Sequence, residues 1–303
     1  MDFLYFLEGI RTPLLNTFML TITQIGEETV FLVTALILFW CVNKRLGYYI
    51  MSVGFIGTLA NQFMKLTFRI PRPWVIDENF TILEQAREAA SGYSFPSGHT
   101  QSAVGTFGSI ANTTKHRWLR IISIVIAVLV PFSRMYIGVH TPLDVVVAAV
   151  IAVALILLLK PIVLKNDGKY IPPLLIVMTV LAVGYLCFVE LFPFPADIDA
   201  ANLASGIKNA YTLLGALFGL LVVYIVDENW LKFSTQAVWW AQVLKVVCGL
   251  GAVLIVKSGL KAPIQALFGN SVGTSVRYFL IVIVAGIVWP LSFRWFAKLG
   301  SKK

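Results

Sequence analysis

Three short polar stretches stand out from a chain that otherwise carries little charge, and their residue types are suited to holding a phosphate group. They are residues 65–73 (KLTFRIPRP), 94–100 (SFPSGHT) and 133–144 (SRMYIGVHTPLD). The first and third supply the cations Lys65, Arg72 and Arg134. Arg offers a planar fork that matches phosphate oxygens, and Lys a compact point charge. A single cation of this kind could equally snorkel to lipid headgroups. Three cations that have no carboxylates beside them instead favour an anionic ligand.

The second stretch adds backbone donors to these cations. Pro96-Ser97-Gly98-His99 predicts the start of a helix, where free N–H groups and the positive end of the helix dipole attract anions. Gly98 would let a ligand approach the backbone closely. Taken alone, Ser97 would indicate no more than an ordinary N-cap.

Two histidines complete the set. His99 and His140 lie at the mouths of apolar segments, whereas the third histidine of the chain, His116, lies among basic residues of a loop. Asp144 follows His140 by four residues, in the first turn of a helix that Thr141-Pro142 would start. We expect Asp144 either to cap that helix or to accept the N–H of one His140 nitrogen, which leaves the other nitrogen as a nucleophile.

These groups together predict phosphoryl transfer. A phosphoryl group held by cations needs a nucleophile on one face and a proton donor for the leaving oxygen on the other. The expected cycle is attack by His140, a phosphohistidine intermediate, departure of an alcohol assisted by His99, and hydrolysis by water. We expect no metal ion and no cofactor, because the outer loops have no acidic cluster of the kind that magnesium needs.

The composition indicates an integral membrane protein. Of 303 residues, 58% are hydrophobic and 13% charged, with a mean hydropathy of +0.82, whereas soluble domains are about 25% charged. The net charge of +9 is scattered over segment ends, so we expect no nucleic-acid partner. The three cysteines lie in apolar stretches without metal-like spacing, which indicates neither disulfides nor a zinc site.

Ten apolar segments are long enough to be candidate crossings of a bilayer core, which needs about 20 residues each. They are residues 3–26, 28–43, 47–67, 96–114, 118–137, 142–165, 171–193, 209–226, 237–257 and 275–296. The first contains Glu8, Arg11 and Pro13, so an alternative is that residues 3–11 lie along the interface before a short crossing.

Charge in the loops predicts the orientation, because loops rich in Lys and Arg stay in the cytoplasm. Basic loops lie at residues 43–45, 115–120, 165–169, 232 and 294–303. Acidic residues mark the opposite side, at Glu27, Glu28, the 74–95 loop, Asp197 and Asp199. Lys257 and Lys261 run against this trend. The three polar stretches therefore belong together on the outer side, and both termini are cytoplasmic if the first segment crosses.

The same residues resemble a known family. Lys65-x6-Arg72-Pro73, Pro96-Ser97-Gly98-His99 and Ser133-Arg134-x5-His140-x3-Asp144 are similar, in order, to the three-part signature of the type 2 phosphatidic acid phosphatase superfamily. The resemblance covers about residues 3–165. It implies His140 as the nucleophile, His99 as the acid and Asp144 as the partner of the nucleophile. The phosphate ligands that it implies are Lys65, Arg72, Ser97, Gly98 and Arg134.

The expected fold class is therefore an all-α, polytopic membrane bundle. The resemblance implies a six-helix phosphatase core in residues 1–165, followed by about four further transmembrane helices in residues 166–303 with no role that the sequence reveals. In this extension we expect Lys245 to snorkel to the interface, with pairing inside the bundle or contact with a lipid headgroup as the alternative. We expect the tryptophans to be interface anchors rather than ligand-stacking residues. The tryptophans in question are Trp230, Trp239, Trp240, Trp289 and Trp295.

A phosphate site at the outer mouth of a bundle would receive its substrate from within the membrane. We therefore expect a lipid phosphate or diphosphate as substrate, membrane lipids as surroundings and a bacterial cytoplasmic membrane as location, with the charged 74–95 loop gating access. Phosphatidate, phosphatidylglycerol phosphate, polyprenyl diphosphate and sphingoid-base phosphate fit equally well. Two alternatives stay open: a phosphotransferase using the same residues, and a transporter of anionic lipid without chemistry. The oligomeric state is not indicated.

Overall fold

The computed structural model describes residues 1–87 and 90–299 of the chain, and within them it is helical with no β-strand. Glu88, which contributes to the acidic loop, and Lys302 and Lys303, which contribute to the basic tail, lie outside the described residues. The all-α fold class that the sequence predicts is thereby confirmed.

The helices of the N-terminal part lie close to the predicted segments. They are α1 Asp2–Gly9, α2 Pro13–Gln24, α3 Glu28–Ile37, α4 Lys44–Phe68, α5 Pro73–Ile76, α6 Gly98–Thr113, α7 Arg117–Tyr136 and α8 Pro142–Leu164. The C-terminal part contains α9 Ile171–Leu191, α10 Ala200–Val226, α11 Trp239–Gly259, α12 Lys261–Phe268, α13 Asn270–Ile283 and α14 Phe293–Lys298. Short π-helical segments continue α3, α10 and α13, at Leu38–Val42, Asp227–Leu231 and Val284–Val288.

The protein is a multi-pass membrane protein. Among the described residues, six helices are long and apolar enough to cross a bilayer: 117–136, 142–164, 171–191, 200–231, 239–259 and 270–298. The pair formed by α2 and α3 with its π-helical continuation is bent by 50° and gives a seventh if it is one span. Predicted segments 47–67 and 96–114 form α4 and α6, which are not among these six.

The first predicted segment is two helices rather than one. The chain breaks between α1 and α2, where Thr12 has extended backbone angles and its Oγ1 accepts from Leu15 N, and where Pro13 occupies the first helical position. Pro at this position is favourable because its missing N–H would have no helical partner. Residues 3–26 therefore do not form a single straight crossing.

The chain folds into two compact units that alternate along the sequence. The first comprises residues 1–32, 53–160 and 195–206, and the second comprises residues 33–52, 161–194 and 207–303. The division at residue 165 stays a prediction.

Within the first unit, glycines let neighbours approach α4 closely. A Cβ on Gly57 would lie 1.9 Å from Nε2 of Gln101, and one on Gly54 would lie 2.2 Å from the Phe31 ring. Small residues allow neighbouring helices of membrane proteins to approach this closely. The start of α6, which carries two predicted site residues, is held against α4 in this way.

Within the second unit, Lys245 does not snorkel, so the sequence-based preference was wrong. Its side chain is 0% exposed, and its Nζ donates to Trp40 O at 3.0 Å and Thr235 O at 3.3 Å. The Phe293 ring centroid lies 4.3 Å from the same nitrogen. The indole of Trp289 donates to the Lys245 carbonyl at 3.1 Å. Carbonyl oxygens and a ring face stabilise this ammonium inside the unit.

Candidate active site

The end of α4 and the turn after it carry two of the predicted cations. Lys65 lies in the last turn of α4, where a cation is favoured by the helix dipole, and its Nζ donates to the Tyr93 carbonyl. Arg69 follows with a φ of 51°, in the left-handed region that commonly terminates helices. The chain then turns so that Arg72 becomes the N-cap of α5, with Pro73 at its first position.

Arg72 is fixed by backbone carbonyls and lies against an imidazole. Its Nη2 donates to Ser91 O at 2.8 Å, its Nε to Gly92 O at 3.1 Å and its Nη1 to Val139 O at 2.9 Å. The same Nη1 lies 2.9 Å from Nε2 of His140. None of these partners carries a negative charge, so the guanidinium stays available to an anion.

The start of α6 has the predicted N-terminal geometry. Ser97 caps the helix, since its Oγ accepts from Thr100 N at 3.4 Å and from Thr100 Oγ1 at 3.0 Å. Its own N–H donates to Asp144 O at 3.1 Å, which joins the starts of α6 and α8. Gly98 is exposed, and a Cβ there would meet nothing within 4 Å. This opening leaves room for a ligand beside the first N–H groups of α6.

His99 lies against the bend between α2 and α3. A Cβ on Gly26 would lie 3.1 Å from Cβ of His99 and 2.6 Å from Cγ1 of Val130. Gly26 therefore allows the bend to approach α6 and α7 at the level of this histidine. The His99 side chain itself is only partly buried.

Arg134 is held from α2 and keeps part of its donor capacity. It is 1% exposed, and its Nη1 donates to Thr23 Oγ1 at 2.7 Å. Its Nε is buried without a hydrogen-bond partner. A buried guanidinium donor without a partner is costly, so this position favours a ligand oxygen.

Asp144 caps α8 and also faces His140. Its Oδ2 accepts from Thr141 N at 2.8 Å, and Thr141 Oγ1 accepts from Asp144 N at 3.3 Å, which is a reciprocal cap of α8. The same Oδ2 lies 3.4 Å from Nδ1 of His140 and accepts from Ser94 Oγ at 2.6 Å. The Nδ1 contact is longer than an ordinary hydrogen bond of about 2.9 Å.

The predicted site residues come together within the first unit. Lys65, Arg72 and Arg134 all lie near enough to both His99 and His140 for their charges to act on the two imidazoles. Across residues 1–87 and 90–299, no carboxylate lies within ion-pair distance of any of these three cations. The result is a positively charged pocket with two imidazoles and a helix N-terminus.

Sequence reasoning missed two side chains of this pocket. Thr23 lies between Thr21 and Gln24 in the first predicted segment, where nothing in the sequence singles it out, and only packing brings it to Arg134. Ser94 lies within a stretch that was singled out, but a lone serine before Phe-Pro gives no signal of its contact with Asp144. A requirement that each buried Asp oxygen have its donors would have directed a search toward such a serine.

The 74–95 loop is packed rather than loose where it is described. Phe80, Ile82 and Ala86 are 3%, 6% and 4% exposed. Ala86 and Ala90 pack with the end of α7 in one apolar cluster. Gating by this loop stays a prediction.

Comparison with known proteins identifies the family. Residues 43–167 match the model of the PAP2 superfamily, and residues 211–302 match the transmembrane extension of PAP2 superfamily phosphatases. Phosphatidylglycerophosphatase B of Bacillus subtilis is 32% identical over 164 residues, which cover 50% of this chain and 76% of that protein.

Two other relatives are named undecaprenyl-diphosphatase. The one from Sulfolobus acidocaldarius is 33% identical over 133 residues, covering 44% of this chain and 63% of that protein. The one from Bacillus subtilis is 31% identical over 111 residues, covering 37% of this chain and 54% of that protein. No solved structure matches the chain significantly. The two family matches and the coverage of the phosphatidylglycerophosphatase show that this chain belongs to the PAP2 superfamily.

Proposed function

We propose that the protein hydrolyses a lipid phosphate or diphosphate at the outer membrane face, without a metal ion and through a phosphohistidine at His140. One observation carries the proposal: Nε2 of His140 lies 2.9 Å from Arg72 Nη1, while Nδ1 faces Asp144. The imidazole thus directs one nitrogen toward the cations that would hold a phosphate and the other toward the carboxylate.

In the first step, Nε2 of His140 attacks phosphorus. An N–P bond forms, the bond from phosphorus to the leaving oxygen breaks, and His99 gives that oxygen a proton. Lys65, Arg72 and Arg134 stabilise the charge on the remaining phosphoryl oxygens. The leaving group is a lipid alcohol from a monophosphate, or a lipid monophosphate from a diphosphate.

In the second step, water attacks the phosphohistidine on the face that the leaving group has vacated. His99 takes a proton from the water, the N–P bond breaks, and inorganic phosphate leaves. Asp144 keeps the proton of His140 on Nδ1 in both steps, so that Nε2 remains the nucleophile and then the leaving nitrogen.

The cations of the pocket take the electrostatic role in this scheme. In the described part of the chain, no group of three or more His, Cys, Asp or Glu side chains is arranged to hold a metal ion. We therefore expect activity to survive a chelator.

A lipid substrate agrees with the apolar character of the chain and with the names of its relatives, which are phosphatases for undecaprenyl diphosphate and for phosphatidylglycerophosphate. The loop charges support an outward-facing site with both termini in the cytoplasm. A lipid phosphotransferase would use the same first step, with a second lipid in place of water.

The test is phosphate release by the purified protein in detergent or vesicles, with EDTA present. The substrates are phosphatidate, phosphatidylglycerol phosphate, a polyprenyl diphosphate and a sphingoid-base phosphate. We expect release from at least one of them and none in His140→Ala. Release that persists in this variant would overturn the nucleophile assignment. Labelled phosphate recovered in a second lipid would replace hydrolase with transferase, and transport without turnover would replace both.

A further inference from the structure

Arg11, between α1 and α2, caps the helix that leads into the His140 turn. Its Nε donates to the carbonyl oxygen of Tyr136 at 3.1 Å. Tyr136 is the last residue of α7, and the final carbonyls of a helix have no partner within it. A cation at this end also complements the helix dipole. The cap is therefore supplied by a side chain 125 residues away in sequence.

The same guanidinium ties the loop after α5 to the N-terminal segment. Nη1 of Arg11 donates to Thr81 O at 2.9 Å and lies 3.3 Å from Thr81 Oγ1. Thr81 in turn donates from its backbone N to Glu8 at 3.2 Å, and its hydroxyl donates to the same carboxylate. Two side chains of the N-terminal segment thus hold one residue of this loop.

The turn between α7 and α8 is enclosed by these groups. Gly138 has a φ of 87°, and a Cβ there would lie 2.9 Å from Nη2 of Arg11 and 3.0 Å from the Phe80 ring. The carbonyl of Ile137 accepts from Leu83 N at 3.1 Å. Arg72 holds the carbonyl of Val139, as described above. Three of the four carbonyls just before His140 are therefore fixed by groups from outside α7.

We infer that Arg11 is a positioning residue for His140, an inference that rests on the proposed function. It does not touch the phosphate or the reacting atoms. It holds the end of α7 and the loop over the turn, so that Nε2 of His140 stays in line with phosphorus. A displacement of about 1 Å in a reacting group can cost about a hundredfold in rate.

The kinetic test compares Arg11→Met and Arg11→Lys with a matched control. Arg120→Met removes another arginine that donates to a helix-end carbonyl, Thr114 O at 2.9 Å, near the opposite end of α7. We expect kcat of Arg11→Met to fall by about ten- to a hundredfold with KM within about threefold of wild type. Arg11→Lys should recover part of the loss, because an ammonium can reach one carbonyl but cannot span two. Arg120→Met should match wild type.

Hydrogen exchange gives a reading that does not depend on turnover. The amides of Gly138 and Val139 donate to Met135 O and Arg134 O at 3.0 and 3.1 Å. We expect these amides to exchange faster in Arg11→Met and Arg11→Lys than in wild type, and no change in Arg120→Met.

The outcomes separate the inference from the proposed function. Wild-type kcat and exchange in both Arg11 variants would overturn the inference, as would a rise in KM with unchanged kcat. A wild-type protein that releases no phosphate from any lipid would instead overturn the proposed function, and the exchange data would still decide whether Arg11 holds the turn. If Arg11→Met does not fold, Arg11→Lys carries both measurements.

Discussion

Lys65 of the first unit is buried and Lys44 of the second unit is part-buried, and the two side chains are stabilised in different ways. In the first unit, Lys65 donates to the Tyr93 carbonyl and has no carboxylate within ion-pair distance among the described residues. In the second unit, Nζ of Lys44 lies 2.9 and 2.6 Å from the two carboxylate oxygens of Asp227. The Phe233 ring centroid lies 3.8 Å from the same nitrogen.

The two units differ in how much positive charge and hydrogen-bond donor capacity is left to bind a ligand. The carboxylate of Asp227 neutralises Lys44, which makes that pair a structural element. In the first unit, Arg134 keeps a buried donor without a partner, and Gly98 leaves open space at the start of α6. Lys44 is thus structural because a carboxylate neutralises it, and Lys245 because carbonyl oxygens and a ring enclose it. The cations of the first unit remain available to a phosphate because three of them lie together beside open space and only neutral groups hold them.

The largest effect should come from removing the nucleophile of the first unit. We expect His140→Ala to lower kcat by about 10⁴-fold or more, because it removes the nitrogen that forms the N–P bond in the proposed mechanism. The measurement is initial phosphate release together with trapping of an acid-labile phosphoenzyme from labelled substrate. His116→Ala, at an exposed loop position, is the control and should keep wild-type activity. A labelled phosphoenzyme in His140→Ala would place the covalent step elsewhere.

The next largest effect should come from replacing Arg72, one of the three cations of the candidate active site. Arg72→Lys keeps one positive charge but loses the fork that contacts Ser91, Gly92 and Val139 while facing His140. We expect kcat/KM to fall by about 10²- to 10³-fold. Thermal unfolding of the same sample shows whether the variant is folded. A folded Arg72→Lys with wild-type kcat/KM would mean that charge alone suffices at this position.

A substitution in the second unit should have the opposite effect: it should lower the stability of the protein and leave its phosphatase activity unchanged. Asp227→Asn leaves Lys44 without its counter-ion, and Asp227 is 1% exposed. We expect the free energy of unfolding to fall by about 3 kcal/mol, with activity per folded molecule unchanged. Asp167→Asn is the matched control, because its pair with Arg45 is exposed and should contribute less than about 1 kcal/mol. A large loss of kcat in folded Asp227→Asn would remove the contrast between the units.

The smallest effect should come from removing the Ser94 hydroxyl, which contacts the carboxylate that faces His140. Ser94 Oγ donates to the Asp144 oxygen that faces His140, so Ser94→Ala removes one donor while the Thr141 N–H and His140 remain. We expect kcat to fall by about tenfold, since one hydrogen bond to a charged group contributes about 1.5 kcal/mol. Ser94→Thr, which keeps the hydroxyl, should retain more activity than Ser94→Ala. Equal rates in wild type and Ser94→Ala would leave Ser94 with a packing role only.

Helix positions could be predicted from the sequence where proline or charged residues clearly bound an apolar run. Residues 118–137 and 142–165 were expected to be helical, and α7 and α8 span 117–136 and 142–164, because Pro142 and charged residues bound the apolar runs. The prediction was poorest where a helix is short. Glu8, Arg11 and Pro13 suggested an alternative for the first segment without locating the break between α1 and α2. The eight-residue helix α12 lies between two predicted segments and is too short to be detected as a crossing of about 20 residues.

The site was predictable in its residue types and only partly in its contacts. The three cations and the two histidines were recognisable because charge is costly inside a membrane protein. Thr23, Ser94 and Arg11 were not, because a threonine, a serine and an interfacial arginine are common and their partners lie far away in sequence.

The sequence by itself determined that the chain is helical and membrane-embedded, and which ionisable side chains stand at the ends of its segments. These properties depend on composition and on order along one segment. Only the tertiary structure decided that Nε2 of His140 faces Arg72, that Lys245 is enclosed, and that Arg11 caps α7. The physical reason is that a hydrogen bond needs its two atoms within about 3 Å, and only packing brings distant segments to that separation.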